Sequence, residues 1–149
     1  MNIRKAALED LDQIAELFDS YRQYYECEPD AALAQRFIQE RLEKGDSDIF
    51  VASIGETVAG FVQLYPSLCS IAADKIYILH DLYVHSDYRR DGAGRKLMNT
   101  ATQWAKDNGA VRLDLLTEKS NNKAQGLYES LGYAKELEDF YAYSLNLPK

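Results

Sequence analysis

Two arginines, an aspartate and two glycines stand together in Arg89-Arg90-Asp91-Gly92-Ala93-Gly94. They follow an apolar run ending at Val84 and precede a stretch with helical periodicity. A strand, a glycine-bearing loop and a helix N-terminus form an anion site in outline. The first N–H groups of a helix lack partners, and its dipole places partial positive charge there. Gly92 and Gly94 let the backbone approach a bulky phosphate and take a positive φ where needed. Arg89 and Arg90 add charge that pairs with phosphate oxygens. The spacing is not G-x-x-x-x-G-K-[ST], nor is it G-x-G-x-x-G, since Leu97 stands where the third glycine belongs. Taken alone, the hexapeptide is also compatible with a strand-to-helix turn carrying solvated arginines.

Other residues could move protons or hold an amine. His80 has a reference pKa near neutrality, suited to a general base; the alternative is a histidine packed or hydrogen-bonded within a sheet. Asp81, on the opposite face of the same strand, competes for that role. His85, at the strand end, reads as a surface residue. Tyr128 lies among Ala124, Leu127 and Leu131 on a helix face, so it is either a core tyrosine or a proton donor. Asn121 precedes that helix as a natural N-cap. Tyr21, Tyr24 and Tyr25 beside Glu26 and Glu28 could receive a cation through ring faces and carboxylates. Against this, Tyr21 and Tyr25 continue an apolar helical stripe, and the glutamates suit a solvated helix end.

Several elements must position these groups. "NIRKA" reads as a first strand, and Leu11, Ile14, Ala15, Phe18, Tyr21 and Tyr25 trace a helical stripe. Asp10 and Gln13 have capping-box spacing. "EPD" breaks this helix, Asp30 is placed to cap a second, and Gly45 ends it. "DIFVASI" and "TVAGFVQLY" flank Gly55-Glu56, a Gly-X hairpin turn. A polar loop, "PSLCSIAAD", leads to "KIYILHDLYV", apolar enough for a central strand covered on both faces. The next helix carries Leu97, Met98, Ala101, Trp104 and Ala105, and "DNG" stops it. "VRLDLLT" is a strand and "SNNKAQGLYESLG" a short helix with Gly132 as its C-cap. "FYAYSLNL" closes the chain as an alternating strand, with "YAKEL" a candidate for one more. The order predicts an α/β (α+β) mixed sheet with helices on its faces.

The chain has 149 residues, 46% of them hydrophobic, enough for one globular domain with its own core. Its net charge of -7 and pI near 4.8 argue against nucleic acid as a partner and suit a cationic or small polar substrate. Cys27 and Cys69 lack metal or CxxC spacing and read as reduced thiols of a cytoplasmic protein. The N-terminal residues carry no leader-type apolar region, and no apolar run approaches a membrane span, so no membrane partner is expected.

These motifs carry a family resemblance. Arg89-x-x-Gly92-x-Gly94 resembles the [QR]-x-x-G-x-[GA] acetyl-CoA loop of GNAT-type N-acetyltransferases. Asn121, Ala124, Leu127, Tyr128, Gly132 and Tyr133 resemble the family's second cofactor segment, N-x-x-A-x-x-L-Y-x-x-x-G-[FY]. The resemblance is strong from about residue 76 to 133, and before that it rests on pattern alone. It implies one acetyltransferase domain over 1–149, with six to seven strands flanked by about four helices. It also implies acetyl-CoA as co-substrate and no metal. Leu82, Tyr83 and Val84 would pair with the pantetheine arm, the backbone from Arg89 through Asp91 and Ala93 to Gly94 would hold the pyrophosphate, and Asn121 would bond the arm. Tyr128 falls on the tyrosine that donates to the departing sulfur, and one branch of the family places a histidine base at the His80 position. Acceptor sites in the family are built by the first two helices and their loop, which points to Tyr21, Tyr25 and Glu26, and Asp81 of the strand is counted with them as a candidate substrate-binding residue. The expected reaction is acetyl transfer to a primary amine of a small cationic acceptor, polyamine or amino-acid-like. A protein or peptide acetyltransferase and a non-catalytic acyl-CoA sensor are the alternatives. Many relatives are dimers, which makes a homodimer the default.

Overall fold

The computed structural model describes residues 1–149, which form two compact units, Met1–Leu116 and Thr117–Lys149. The first unit holds one five-stranded sheet in the order β1 (Asn2–Lys5), β2 (Asp48–Ile54), β3 (Thr57–Cys69), β4 (Asp74–Val84) and β5 (Leu113–Leu115). Neighbours are antiparallel except β4 and β5, which run parallel. Parallel neighbours need a crossover, here the helix α3 (Ala93–Asp107). Helices α1 (Leu11–Tyr24) and α2 (Ala31–Lys44) lie between β1 and β2 in the chain.

Alternation along β2 sorts the two faces of the sheet. Ile49 and Val51 pack in a core with Ile14, Leu17, Phe18, Ala34 and Ile38 of α1 and α2. Phe50 points the other way and meets Trp104 of α3 edge-on, with ring centroids 5.4 Å apart. Local signals end the helices as expected at α2: the Asp30 side chain accepts from the Leu33 N–H at 3.1 Å, and Gly45 takes a left-handed φ of 62°. Gly55 has a positive φ, as a Gly-X hairpin requires.

Four expectations need correction. The Asp10–Gln13 capping box does not form. Asp10 instead accepts from both terminal nitrogens of Arg4 at 2.7 and 2.8 Å, while Gln13 reaches the β2–β3 turn. The segment "PSLCSIAAD" is mostly strand, because β3 runs on to Cys69. Past Leu64 it pairs with β4 alone, so Pro66 faces no β2 ladder that needs its missing N–H. The middle of the sheet is β3, buried continuously from Val58 to Leu64, rather than β4.

The fourth correction concerns the strand count, five rather than six to seven. The second unit contains α4 (Asn122–Ser130), and residues 133–149 form no strand there. "FYAYSLNL" and "YAKEL" alternate as a two-faced strand would, but alternation supplies no ladder partner, and a strand exists only in a ladder. Phe140, Tyr141, Tyr143, Leu145 and Leu147 are exposed. The end of α4 is well defined. The Tyr133 N–H bonds the Tyr128 carbonyl and the Gly132 N–H bonds that of Glu129, with Gly132 at φ 95°, the Schellman arrangement. No helix is long and apolar enough to cross a membrane.

Candidate active site

The glycine loop leaves β4 at Val84. The His85 N–H bonds the Ala59 carbonyl at 2.8 Å, and the His85 ring Nδ1 accepts from the Asp87 N–H, capping a short turn at Ser86–Tyr88. His85 is thus a turn residue at the surface. Arg89 donates from Nε to the Val84 carbonyl at 2.8 Å, and its guanidinium lies 5.4 Å from the Tyr83 ring centre. Arg90 and Gly92 both take positive φ, 79° and 80°. Alternating hands of backbone curl successive N–H groups toward one side, a geometry suited to anions. Gly92 is the N-cap of α3 and supplies no side chain to its first turn. A Cβ at Gly92 would meet no atom within 4 Å, so it is the backbone angle that calls for glycine there. Ala93 and Gly94 are already helical, and Asp91 is exposed.

The strand preceding this loop is irregular. Gln63 pairs with Asp81, yet Leu64 pairs with Leu79, which leaves His80 as an extra residue in β4. Bulges of this kind re-aim side chains and are common beside active sites. β5 pairs with β4 only over Tyr77–Leu79. Beyond Leu79 the β5 side of β4 has no ladder, and Leu82, Tyr83 and Val84 fall in that stretch.

Beside the bulge opens a cleft of about 290 Å³, lined by Phe18, Phe37, Tyr65, His80 and Asp81. Phe18 and Phe37 stack with centroids 5.3 Å apart, and Tyr65 meets the His80 ring edge-on at 5.3 Å. Asp81 is 7% exposed. Burial pushes its carboxyl above the usual carboxylate range, outweighing the hydrogen bond from Gln63 that acts the other way. The Gln63 amide donates to Asp81 Oδ2 at 2.5 Å and accepts from the Ser47 hydroxyl at 2.7 Å. The Tyr65 hydroxyl is pushed up to about 12, first by burial and then by the Asp81 charge, so it stays a neutral phenol. Such a cleft offers rings to an apolar stem and a single buried carboxylate to a cation.

Of the acceptor residues expected from sequence, the structure brings Asp81 into the cleft and sets Tyr21 beside it. The Tyr21 hydroxyl donates to the His80 carbonyl at 2.8 Å, and its ring lies 6.3 Å from that of Tyr83. Tyr25 and Glu26 do not line the cleft. Both follow the last turn of α1, and Glu26 holds the left-handed position that closes the helix, with φ 65°. Sequence reading missed Phe18 and Phe37, whose helical periodicity marks them simply as core, and it missed Tyr65 and Gln63. A glutamine inside "TVAGFVQLY" is the one visible signal, since a polar side chain in an apolar strand needs a partner.

Asn121 and Tyr128 belong to the second unit. Asn121 accepts from the Ala124 N–H at 3.1 Å through Oδ1, so it caps α4. Its amide nitrogen is not used in that cap. Tyr128 is half-buried, its ring 6.1 Å from that of Tyr133.

Comparison with known proteins identifies the family. The model of the acetyltransferase (GNAT) family matches residues 11–133. The chain is 43% identical over 148 residues to the uncharacterized N-acetyltransferase YhfO of Bacillus subtilis (strain 168), covering 99% of each. It is 32% identical over 84 residues to the thialysine N-epsilon-acetyltransferase of Caenorhabditis elegans, covering 56% of this chain and 52% of that protein. A crystal structure of a probable acetyltransferase superposes with a TM-score of 0.90 at 35% identity, covering 100% of this chain and 99% of the other.

Proposed function

The chain belongs to the acetyltransferase (GNAT) family and is an N-acetyltransferase, and from that premise we propose that it acetylates the primary amine of a small cationic acceptor, polyamine or amino-acid-like, from acetyl-CoA. The observation that carries the acceptor class is the Asp81 carboxylate buried at an aromatic-walled cleft. A relative that acts on thialysine, an amino acid with a side-chain amine, supports the same class. The family match runs through both compact units, which supports reading residues 1–149 as one acetyltransferase domain.

The residues divide the work. Acetyl-CoA supplies the acetyl group already activated as a thioester. The loop from Arg89 to Gly94, left-handed at Arg90 and Gly92, with a first turn of α3 that takes no side-chain cap, suits its pyrophosphate. The stretch of β4 holding Leu82, Tyr83 and Val84 offers backbone groups to an extended pantetheine chain. Asp81 takes a proton from the acceptor ammonium, freeing the nitrogen lone pair to attack the acetyl carbon. A carboxyl held above its usual range is the better base for this, since its affinity for the proton lies closer to the working pH. Tyr128 gives its hydroxyl proton to the sulfur as the C–S bond breaks, and the second proton that the nitrogen sheds on becoming an amide restores the phenol. Its position in the N-x-x-A-x-x-L-Y motif supports that role. His80 is a second reading for the base, favoured by its place at the bulge and in the cleft wall.

A thiol-release screen over polyamines, amino acids, aminoglycosides and basic peptides tests the proposal. Small cationic amines should turn over, Asp81→Asn should cut kcat about 100-fold, and His80→Gln should cut it far less. Equal turnover of neutral and cationic amines would remove the charge selectivity. Turnover of peptides alone would transfer the activity to protein substrates, and binding without thiol release would leave a sensor.

A further inference from the structure

We propose that Gln63 is a positioning residue of this site: it holds the Asp81 carboxylate by Oδ2 and so directs the acceptor's proton to Oδ1. The inference rests on Asp81 as the proton acceptor and extends that reading to a residue with no reach to substrate.

Gln63 is fully buried on the middle strand of the sheet. A buried amide is costly unless both of its ends are satisfied. Here both are, by Ser47 on one side and Asp81 on the other, in a chain that runs from the residue before β2, across β3, to β4. The direction of the chain follows from donor inventory. An ionised carboxylate only accepts, so Gln63 must present its NH2 to Asp81 and its carbonyl to Ser47. Ser47 then donates, and that bond keeps the amide from reversing. With Nε2 on Oδ2, the second carboxylate oxygen is left to receive a proton.

The location gives this hold its use. Gln63 and Asp81 are the last residues in register before the ladder shifts around His80. The carboxylate would otherwise hang from the least regular point of β4. The ionisable groups facing it are Tyr65 on β3, Tyr21 on α1 and His80 on its own strand, while Arg41 of α2 and Asp46 act on Tyr65 from behind. A neutral donor, Gln63, holds the charge. An arginine or lysine in that position would lower the carboxyl's affinity for a proton and weaken it as a base.

The test is a carbon-13 titration of the Asp81 side chain, followed by NMR in the wild type and in Gln63→Met, a change that keeps length and removes the donor. The midpoint should move to higher pH in Gln63→Met. The acidic limb of kcat/KM should move with it, for whichever amine of the screen turns over fastest, with kcat/KM at pH 7 down about tenfold. A folded Gln63→Met protein with an unmoved Asp81 midpoint overturns the proposal, because a merely structural glutamine would lower the melting temperature and leave the titration in place. Should Gln63→Met fail to fold, Ser47→Ala keeps the glutamine and releases its amide; the same upward shift, smaller, is expected, and none would overturn the inference. Asp81→Asn separates the two readings. Full activity there removes Asp81 as base and Gln63 with it, whereas a loss there beside an unmoved midpoint in Gln63→Met removes Gln63 alone.

Discussion

Arg90 and Gly92 share the left-handed backbone at different cost. For glycine the conformation is free, whereas a side chain there costs about 1 kcal/mol. Sequence reading assigned the loop's conformational freedom to the glycines alone, because nothing in an arginine's identity advertises a positive φ. Arg90→Gly should therefore raise stability by roughly 0.5–1 kcal/mol, seen in denaturant midpoints. It should leave acetyl-CoA affinity close to wild type, since Arg90 is argued to serve through its backbone. A large drop in affinity by calorimetry would mean that the guanidinium itself grips phosphate. Gly92→Asp should act in the opposite sense, losing at least tenfold in acetyl-CoA affinity by adding a charge and a strained φ where an anion belongs. Tyr128→Phe should keep that affinity and lower kcat about 100-fold, because only the hydroxyl proton is removed.

At the scale of elements, local signals were legible and pairings were not. Asp30, Gly45, Gly55 and Gly132 punctuate the chain where their types say they should, because caps and turns are decided by a few neighbouring residues. The Asp10–Gln13 spacing misled because both side chains found partners far away or earlier in the chain, Gln13 at Glu56 and Val58 and Asp10 at Arg4. No local pattern encodes such partners. The same holds for the bulge at His80, a property of the β3–β4 register and not of either strand. Gly60 shows how closely that register is set. A Cβ there would lie 2.9 Å from the Tyr83 carbonyl oxygen and 3.2 Å from the Val84 Cα, both backbone atoms that cannot step aside. Gly60→Ala should cost about 1–3 kcal/mol in stability. By displacing β4 at Tyr83 and Val84, it should also weaken acetyl-CoA binding although it touches no ligand. Lost stability with unchanged affinity would show that this part of β4 does not carry the cofactor.

Across the whole molecule, two buried aspartates of the same unit respond to pH in opposite directions. The Arg4 guanidinium, bonded to both oxygens of Asp10, holds that carboxyl below its ordinary value of 3.8, and the Ala7 N–H adds to the effect. Its stabilisation is fully present above the unfolded value and is lost as pH falls through the lower folded one. Asp81 is raised by burial, so the folded state favours its proton. Its contribution is most favourable at acid pH and is lost as pH rises from 3.8 through its folded value. Above that folded value the fold carries Asp81 ionised at a cost, next to a cleft where that charge has a use, a trade often found at active sites. Asp10→Asn should lower stability at pH 7 by about 1–2 kcal/mol, a modest figure because Arg4 is partly solvated. Asp81→Asn should raise the melting temperature at pH 7 while lowering turnover, since the neutral amide removes the buried charge and the base together. Both differences should shrink in melts taken at progressively lower pH, as each wild-type carboxyl becomes protonated. An Asp81→Asn protein less stable than wild type at pH 7 would mean that Gln63 fully compensates the buried charge, and that the carboxylate is held for structure as much as for chemistry.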